Sequence, residues 1–281
     1  MRKARVVIAG ILVLSLAVFA LLGGCRQTEA AKLKVVTTTS LLAQIVERVG
    51  GDLVSVVNII PPAQCPGHFD VKPSDIQKLA DADLFLMHNW QGEKFTDELI
   101  ASANNPDLTV AKVDIKGNWM TPPVQMQAVD EIANCLAELD EDNRDAYQQQ
   151  AARLKDMIEA KAAEIKAKLA GKNLSSVKVI CAEKQVGFVK WVGLDIVATF
   201  GRPDSLTPAV IKELVDKGRA EKVGLIIENL QSGKDAGKAL AEELGCPRII
   251  LSNFPGGLAN TETWEKAIDE NIRRILEAVA R

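Results

Sequence analysis

The stretch QCPGHFDVKPSD, Gln64 to Asp75, sets Cys65 three residues before His68 and follows them with Asp70 and Asp75. A Cys-x-x-His spacing lets both side chains reach one ion. It also allows a thiolate–imidazole pair for nucleophilic chemistry, with Asp70 or Glu183 as a third, orienting group. The chain holds only two histidines, and the other, His88, closes the apolar run DLFLMHN. Three further polar residues stand in comparable places: Glu183 ends VKVICAE, Glu228 follows VGLII, and Asn253 follows PRIILS. Imidazole and thiolate bind borderline or soft ions and a carboxylate adds charge, so a transition metal suits such a set. The catalytic reading is weaker. No helix start directly follows the cysteine to lower its pKa, and the chain has neither a serine nucleophile elbow nor a phosphate-binding glycine loop.

These residues need elements to position them. From Leu33 short apolar strands alternate with helical segments. LKVVTTTS, LVSVVNII, DLFLMHN and LTVAKVDI read as strands; LLAQIVERVGG, PSDIQKLADA and EKFTDELIASA read as helices. Such alternation predicts a parallel sheet covered by helices. Pro73-Ser74-Asp75 makes a good helix start. The alternation stops between about 122 and 171, where a polar-faced helix runs from about Arg144 to Gly171, and then resumes to the terminal helix TETWEKAIDENIRRILEAVAR. The fold class expected is therefore α/β: two lobes, each a parallel sheet of about four strands flanked by helices, joined by one long helix. The boundaries expected are 33–140, 141–172 and 173–281. Ligands of open parallel sheets bind beyond the carboxyl ends of strands, and the Cys65–His68 loop, His88, Glu183, Glu228 and Asn253 fall there. The cleft between the two lobes is the default site.

The first residues are not part of this fold. Arg2, Lys3 and Arg5 precede the apolar run VVIAGILVLSLAVFALLGG, the pattern of an export signal. LGGC, Leu22 to Cys25, resembles the bacterial lipobox, which implies cleavage after residue 24, acylation of Cys25 and a tether over 25–32. Removing Arg2, Lys3 and Arg5 with no acidic residue moves the formal charge from −3 to −6. A mildly acidic exported chain has no electrostatic reason to bind nucleic acid, and it does not repel cations. Cys65, Cys135, Cys181 and Cys246 remain, with no pairing legible. Cys135 and Cys181 lie in helix-like and strand-like runs and read as buried apolar residues.

HFDVKPSDIQKLADADL resembles a block of the zinc- and manganese-binding solute-binding proteins of bacterial ABC importers: His-x-Tyr-Glu-Pro-x-Pro-Ser-Asp followed by LADADL. NWMTP, Asn118 to Pro122, is similar to that family's His-x-Trp-Leu-x-Pro block, with Trp119 and Pro122 in register. The resemblance covers essentially the whole exported chain. It implies a monomeric lipoprotein with two α/β lobes on a rigid helix, held at the membrane by its lipid. Its cargo would be a transition-metal ion, zinc foremost and manganese or iron next, delivered to an ABC permease. His68 matches the family's first metal ligand, Glu183 its third and Asn253 its fourth position, usually Asp. The second histidine is replaced by Gly117. Cys65 and His88, where the family usually has Asn, could complete a set of Cys65, His68, His88 and Glu183, four ligands suited to tetrahedral zinc. A thiolate in it would favour copper(I) or iron over manganese. Asn253, Glu228, Asp70 and Trp119 are further cleft candidates. The alternative left open is a metal chelate or other small organic ligand in the same fold. NFPGG, Asn253 to Gly257, reads equally as a lid at the cleft rim or as a turn before the last helix.

Overall fold

A computed structural model describes residues 31–90, 93, 95–233 and 235–280. The leader, Cys25 and most of the tether lie outside the described residues. Lys32–Arg281 form one compact unit. Its eight strands make two parallel sheets. The first contains β1 (Leu33–Thr37), β2 (Val54–Asn58), β3 (Leu84–His88) and β4 (Thr109–Val113) in the order β2-β1-β3-β4. The second contains β5 (Lys178–Ala182), β6 (Asp195–Phe200), β7 (Leu225–Asn229) and β8 (Arg248–Leu251) in the order β6-β5-β7-β8. The two orders are the same, and all six pairings are parallel. The expected fold class is therefore the one observed.

Inner strands β3 and β7 are buried at every residue, while edge strand β2 exposes alternate positions and edge strand β4 exposes Thr109, Val110 and Lys112. That contrast is what helices on both faces of a parallel sheet produce. In the first lobe these are α1 (Ser40–Gly50), α2 (Pro73–Ala80), α3 (Phe95–Ala103) and α4 (Pro122–Leu139). Helix α2 starts as its sequence predicts, with the Lys72 N–H donating to Asp75 Oδ2 at 3.0 Å. The second lobe carries α6 (Val186–Val192), α7 (Pro208–Glu221), α8 (Lys238–Leu244) and α9 (Trp264–Val279).

Helix α5 (Arg144–Leu169) is the expected long connection. It buries only Tyr147, Ala151, Leu154, Ile158 and Ile165, one narrow seam laid on α1 and α4. At its far end Lys161 Nζ reaches Asp269 of α9 at 2.9 Å. The largest core cluster contains Val35 and Leu86 of the first sheet, Val179 and Ile227 of the second, and Trp264 of α9. The lobes therefore share one hydrophobic core in addition to the helix.

Asn271 of α9 fixes the segment that follows β8. Its Oδ1 accepts from the Ser252 N–H at 3.0 Å, and its Nδ2 donates to the Ser252 carbonyl at 2.8 Å. Both ends of this contact are buried. Asn271→Ala is expected to cost about 2 kcal/mol, because it leaves two buried backbone groups unpaired. Urea denaturation should show the lowered midpoint, and hydrogen exchange should accelerate over residues 252–257. An unchanged midpoint would show that the segment is held by other contacts.

Candidate functional site

Every described strand of both sheets except β1 is followed by a loop that reaches one cavity of about 590 Å³. From the first lobe come Cys65 and Gly67 after β2, Asn89 and Trp90 after β3, and Asn118 and Trp119 after β4. The second lobe contributes Glu183 after β5, Arg202 after β6, Asn229 and Gln231 at the end of β7, and Asn253 and Phe254 after β8. This is the position where parallel α/β sheets bind ligands, supplied twice over. The volume falls in the range of small-molecule sites.

Much of the wall is carboxamide. Asn118 Nδ2 donates to Asn253 Oδ1 at 2.8 Å and to the Lys184 carbonyl at 3.1 Å. Gln185, fully buried behind, donates to Asn229 Oδ1 at 3.0 Å and to Asn253 Oδ1 at 3.1 Å. Gln231 donates to the Pro62 carbonyl of the first lobe at 2.8 Å and to Ser252 Oγ at 2.9 Å. The bonds of Asn118 and the bond from Gln231 to Pro62 tie the two lobes together around the cavity. Aromatic faces complete the wall: Trp90 and Phe254, from opposite lobes, lie nearly parallel at 6° with centroids 6.3 Å apart.

The residues singled out by sequence separate here. Cys65, Glu183, Asn253 and Trp119 line the cavity. His68 is exposed beside it, in the short turn Pro66–His68, and its Nδ1 lies 2.5 Å from Arg202 Nη2 across the cleft. His88 takes no part in the wall. It is completely buried, stacked on Trp90 at 3.6 Å and edge-on to Trp119 at 4.5 Å, with Nε2 2.8 Å from Thr39 Oγ1. Burial lowers its pKa well below the ordinary imidazole value, so the ring is neutral. Asp70 is exposed and does not line the cavity. Glu228 is turned into the interior of the second lobe, where it accepts from the Gly237 N–H and pairs with Arg248 Nη1 at 2.8 Å.

Among the described residues no three His, Cys, Asp or Glu side chains stand where they could share one ion. The set Cys65, His68, His88 and Glu183 is thus not assembled in this conformation: His88 is turned inward, and Cys65, His68 and Glu183 do not converge either. Gly117, at the position of the family's second histidine, has φ +114°, and a Cβ there would come within 2.8 Å of Val124 Cγ2. A side chain at that position is strained as well as crowded.

Several residues of the wall went unread in the sequence, Trp90, Arg202, Asn229 and Gln231 among them. All four sit at strand ends, the signal that could have found them. The NFPGG segment is firmly tied, since Ser40 Oγ donates to the Pro255 carbonyl at 2.8 Å and the Gly256 N–H donates to the Thr261 carbonyl. Its role as a turn before α9 is visible; a lid would have to break these bonds. Among the described residues all four cysteines are free, with the Cys181 thiol pushed up to about 12 by burial.

Comparison with known proteins decides the family. The family model of the zinc-uptake complex component A periplasmic protein, ZnuA, matches residues 35–278. The chain belongs to this family. It is a metal ABC-transporter substrate-binding protein by descent, not an enzyme, which closes the thiol–imidazole alternative. FimA of Streptococcus parasanguinis, a metal ABC transporter substrate-binding lipoprotein, is 25% identical with 100% of both chains covered. The manganese ABC transporter substrate-binding lipoprotein PsaA of Streptococcus pneumoniae is 27% identical over 92% of each chain. In fold the chain is similar to the crystal structure of ZnuA, with a TM-score of 0.75 at 20% identity over 89% of this chain and 100% of that one. FpvC of Pseudomonas aeruginosa in complex with Mn2+ aligns with a TM-score of 0.77 at 21% identity over 89% and 99%. Among the described residues of this ZnuA-family chain, no helix is long and apolar enough to cross a membrane.

Proposed function

We propose that this ZnuA-family protein captures a transition metal already wrapped in a small organic chelator and delivers it to an ABC permease. Zinc, manganese and iron are the metals in view. The protein would act as an extracytoplasmic monomer anchored through Cys25, with the 33–140 and 173–281 lobes closing on the ligand about the 141–172 helix. The observation that carries this reading is the cavity itself. Its volume of about 590 Å³ far exceeds a lone ion, and its wall gathers amides and aromatic rings without three metal donors. A chelate brings its own donors and needs what this wall supplies, namely flat apolar faces and hydrogen-bonding groups.

A bare ion held by Cys65, His68, His88 and Glu183 is the competing reading. It requires His88 to leave its stack on Trp90, its bond to Thr39 and a fully buried position. The two readings part in one titration, because Trp90 and Trp119 report the cavity through tryptophan fluorescence. The chelate reading expects weak responses to zinc and manganese chlorides and a saturable response to chelated metal. Tight stoichiometric binding of a free ion, lost in His68→Ala and His88→Ala, would sink it.

A further inference from the structure

We propose that the cavity selects an anionic ligand, a carboxylate-bearing small molecule or its metal chelate, and that Arg202 is the residue that selects it. This rests on the chelate reading above and adds the sign of the ligand's charge. Three lining residues carry formal charge: Arg202, Lys184 and Glu183. Glu183 is exposed, and its Oε1 lies 3.9 Å from where a Cβ on Gly201 would sit. Lys184 is exposed too, and its carbonyl is the part bonded to Asn118 and Asn253.

Arg202 is different. It is half-buried at the end of β6, and among the described residues its guanidinium finds no carboxylate. Its partner is His68 Nδ1 at 2.5 Å. A guanidinium only donates, so that nitrogen must be the unprotonated acceptor of the ring. One of five N–H donors is then used, on an imidazole nitrogen of the opposite lobe. The planar fork that matches a carboxylate is left unmet. A partly buried cation with no carboxylate in ion-pair range attracts an incoming anion. A bare divalent cation at the same place would instead be repelled by it.

The neighbours fit an anion of modest size. The amides of Asn118, Asn229 and Asn253 offer neutral hydrogen-bonding groups, and Trp90 and Phe254 offer flat faces. A ligand that takes the guanidinium replaces His68 as its partner, so the contact between lobes becomes a contact through the ligand. Arg202 is in this sense a gate as well as a selector.

The test compares wild type with Arg202→Gln, both checked for fold by circular dichroism. The probes are zinc citrate and zinc nitrilotriacetate, which are anionic, and zinc bis-histidinate, which is neutral; zinc chloride is the control. Binding is read by tryptophan fluorescence and calorimetry. We expect both anionic chelates to bind more tightly than the neutral one. Arg202→Gln should weaken the anionic chelates about tenfold or more and leave the neutral one unchanged. Equal affinity of wild type and variant for the anionic chelates, or no binding of either, overturns the assignment. Preference for the neutral chelate overturns the charge but leaves the chelate reading intact. Stoichiometric zinc chloride binding with no response to any chelate overturns both.

Discussion

His88→Ala is expected to lower the stability of the protein by about 3 kcal/mol. The ring is fully buried, and its removal leaves a cavity between Trp90 and Trp119 and an unpaired Thr39 hydroxyl. The two indoles line the ligand cavity on their other side, so their loosening should also weaken cargo binding. His88→Phe separates the two effects. It restores the stack while still abandoning Thr39, and should recover about half of the loss. Urea midpoints for the three proteins check this. A metal ligand would behave in the opposite way, with metal affinity lost and the midpoint of the metal-free protein unchanged or raised.

Replacing Glu93 changes how stability depends on pH. This carboxyl is buried beneath the same cluster; burial raises its pKa from 4.5 to about 8, against the opposing pull of hydrogen bonds from Thr38 and the His88 backbone. The folded pKa lies above the unfolded one, so the protonated acid is the form the fold prefers. Its contribution is complete below about pH 4.5 and is lost as pH rises through about 8. Across that window wild type should lose about 1.4 kcal/mol per pH unit relative to Glu93→Gln. The glutamine keeps an oxygen for the Thr38 hydroxyl and carries no charge at any pH. Above pH 8 the variant should therefore be the more stable protein. Parallel curves for the two proteins from pH 5 to 9 would show that Glu93 ionises freely in the fold.

The fold was legible because it repeats a simple pattern. Runs such as LKVVT, LFLMH and LIIEN are mostly apolar, with at least three apolar residues in each five, as strands covered on both faces are, and helices with one apolar face separate them. Helix α5 was legible from its polar composition and its single buried seam. The shared core was not, since nothing in the sequence shows that Val35 and Ile227 belong to one cluster.

The site was legible only as a location. Strand ends pointed to the cavity, and Cys65, Glu183, Asn253 and Trp119 reach it. His88 also ends a strand, but a residue at that point can turn toward the cleft or into the core. Here the neighbouring indoles and Thr39 draw it inward. Arg202 lies in FGRPDS, where glycine and proline suggest only a turn, and its partner His68 is 134 positions away. Residue types that bind metals attract attention in a sequence. An arginine and a set of amides do not, because only their convergence gives them a role.

Native mass spectrometry of the protein, released gently from membranes of the cells that make it, tests the central claim most directly. The spectrum should show one non-covalent adduct heavier than any single transition-metal ion, containing both a metal and an organic component, and lost when Trp90→Ala opens the wall. A stoichiometric adduct with the mass of one bare ion, unaffected by Trp90→Ala, would contradict the account.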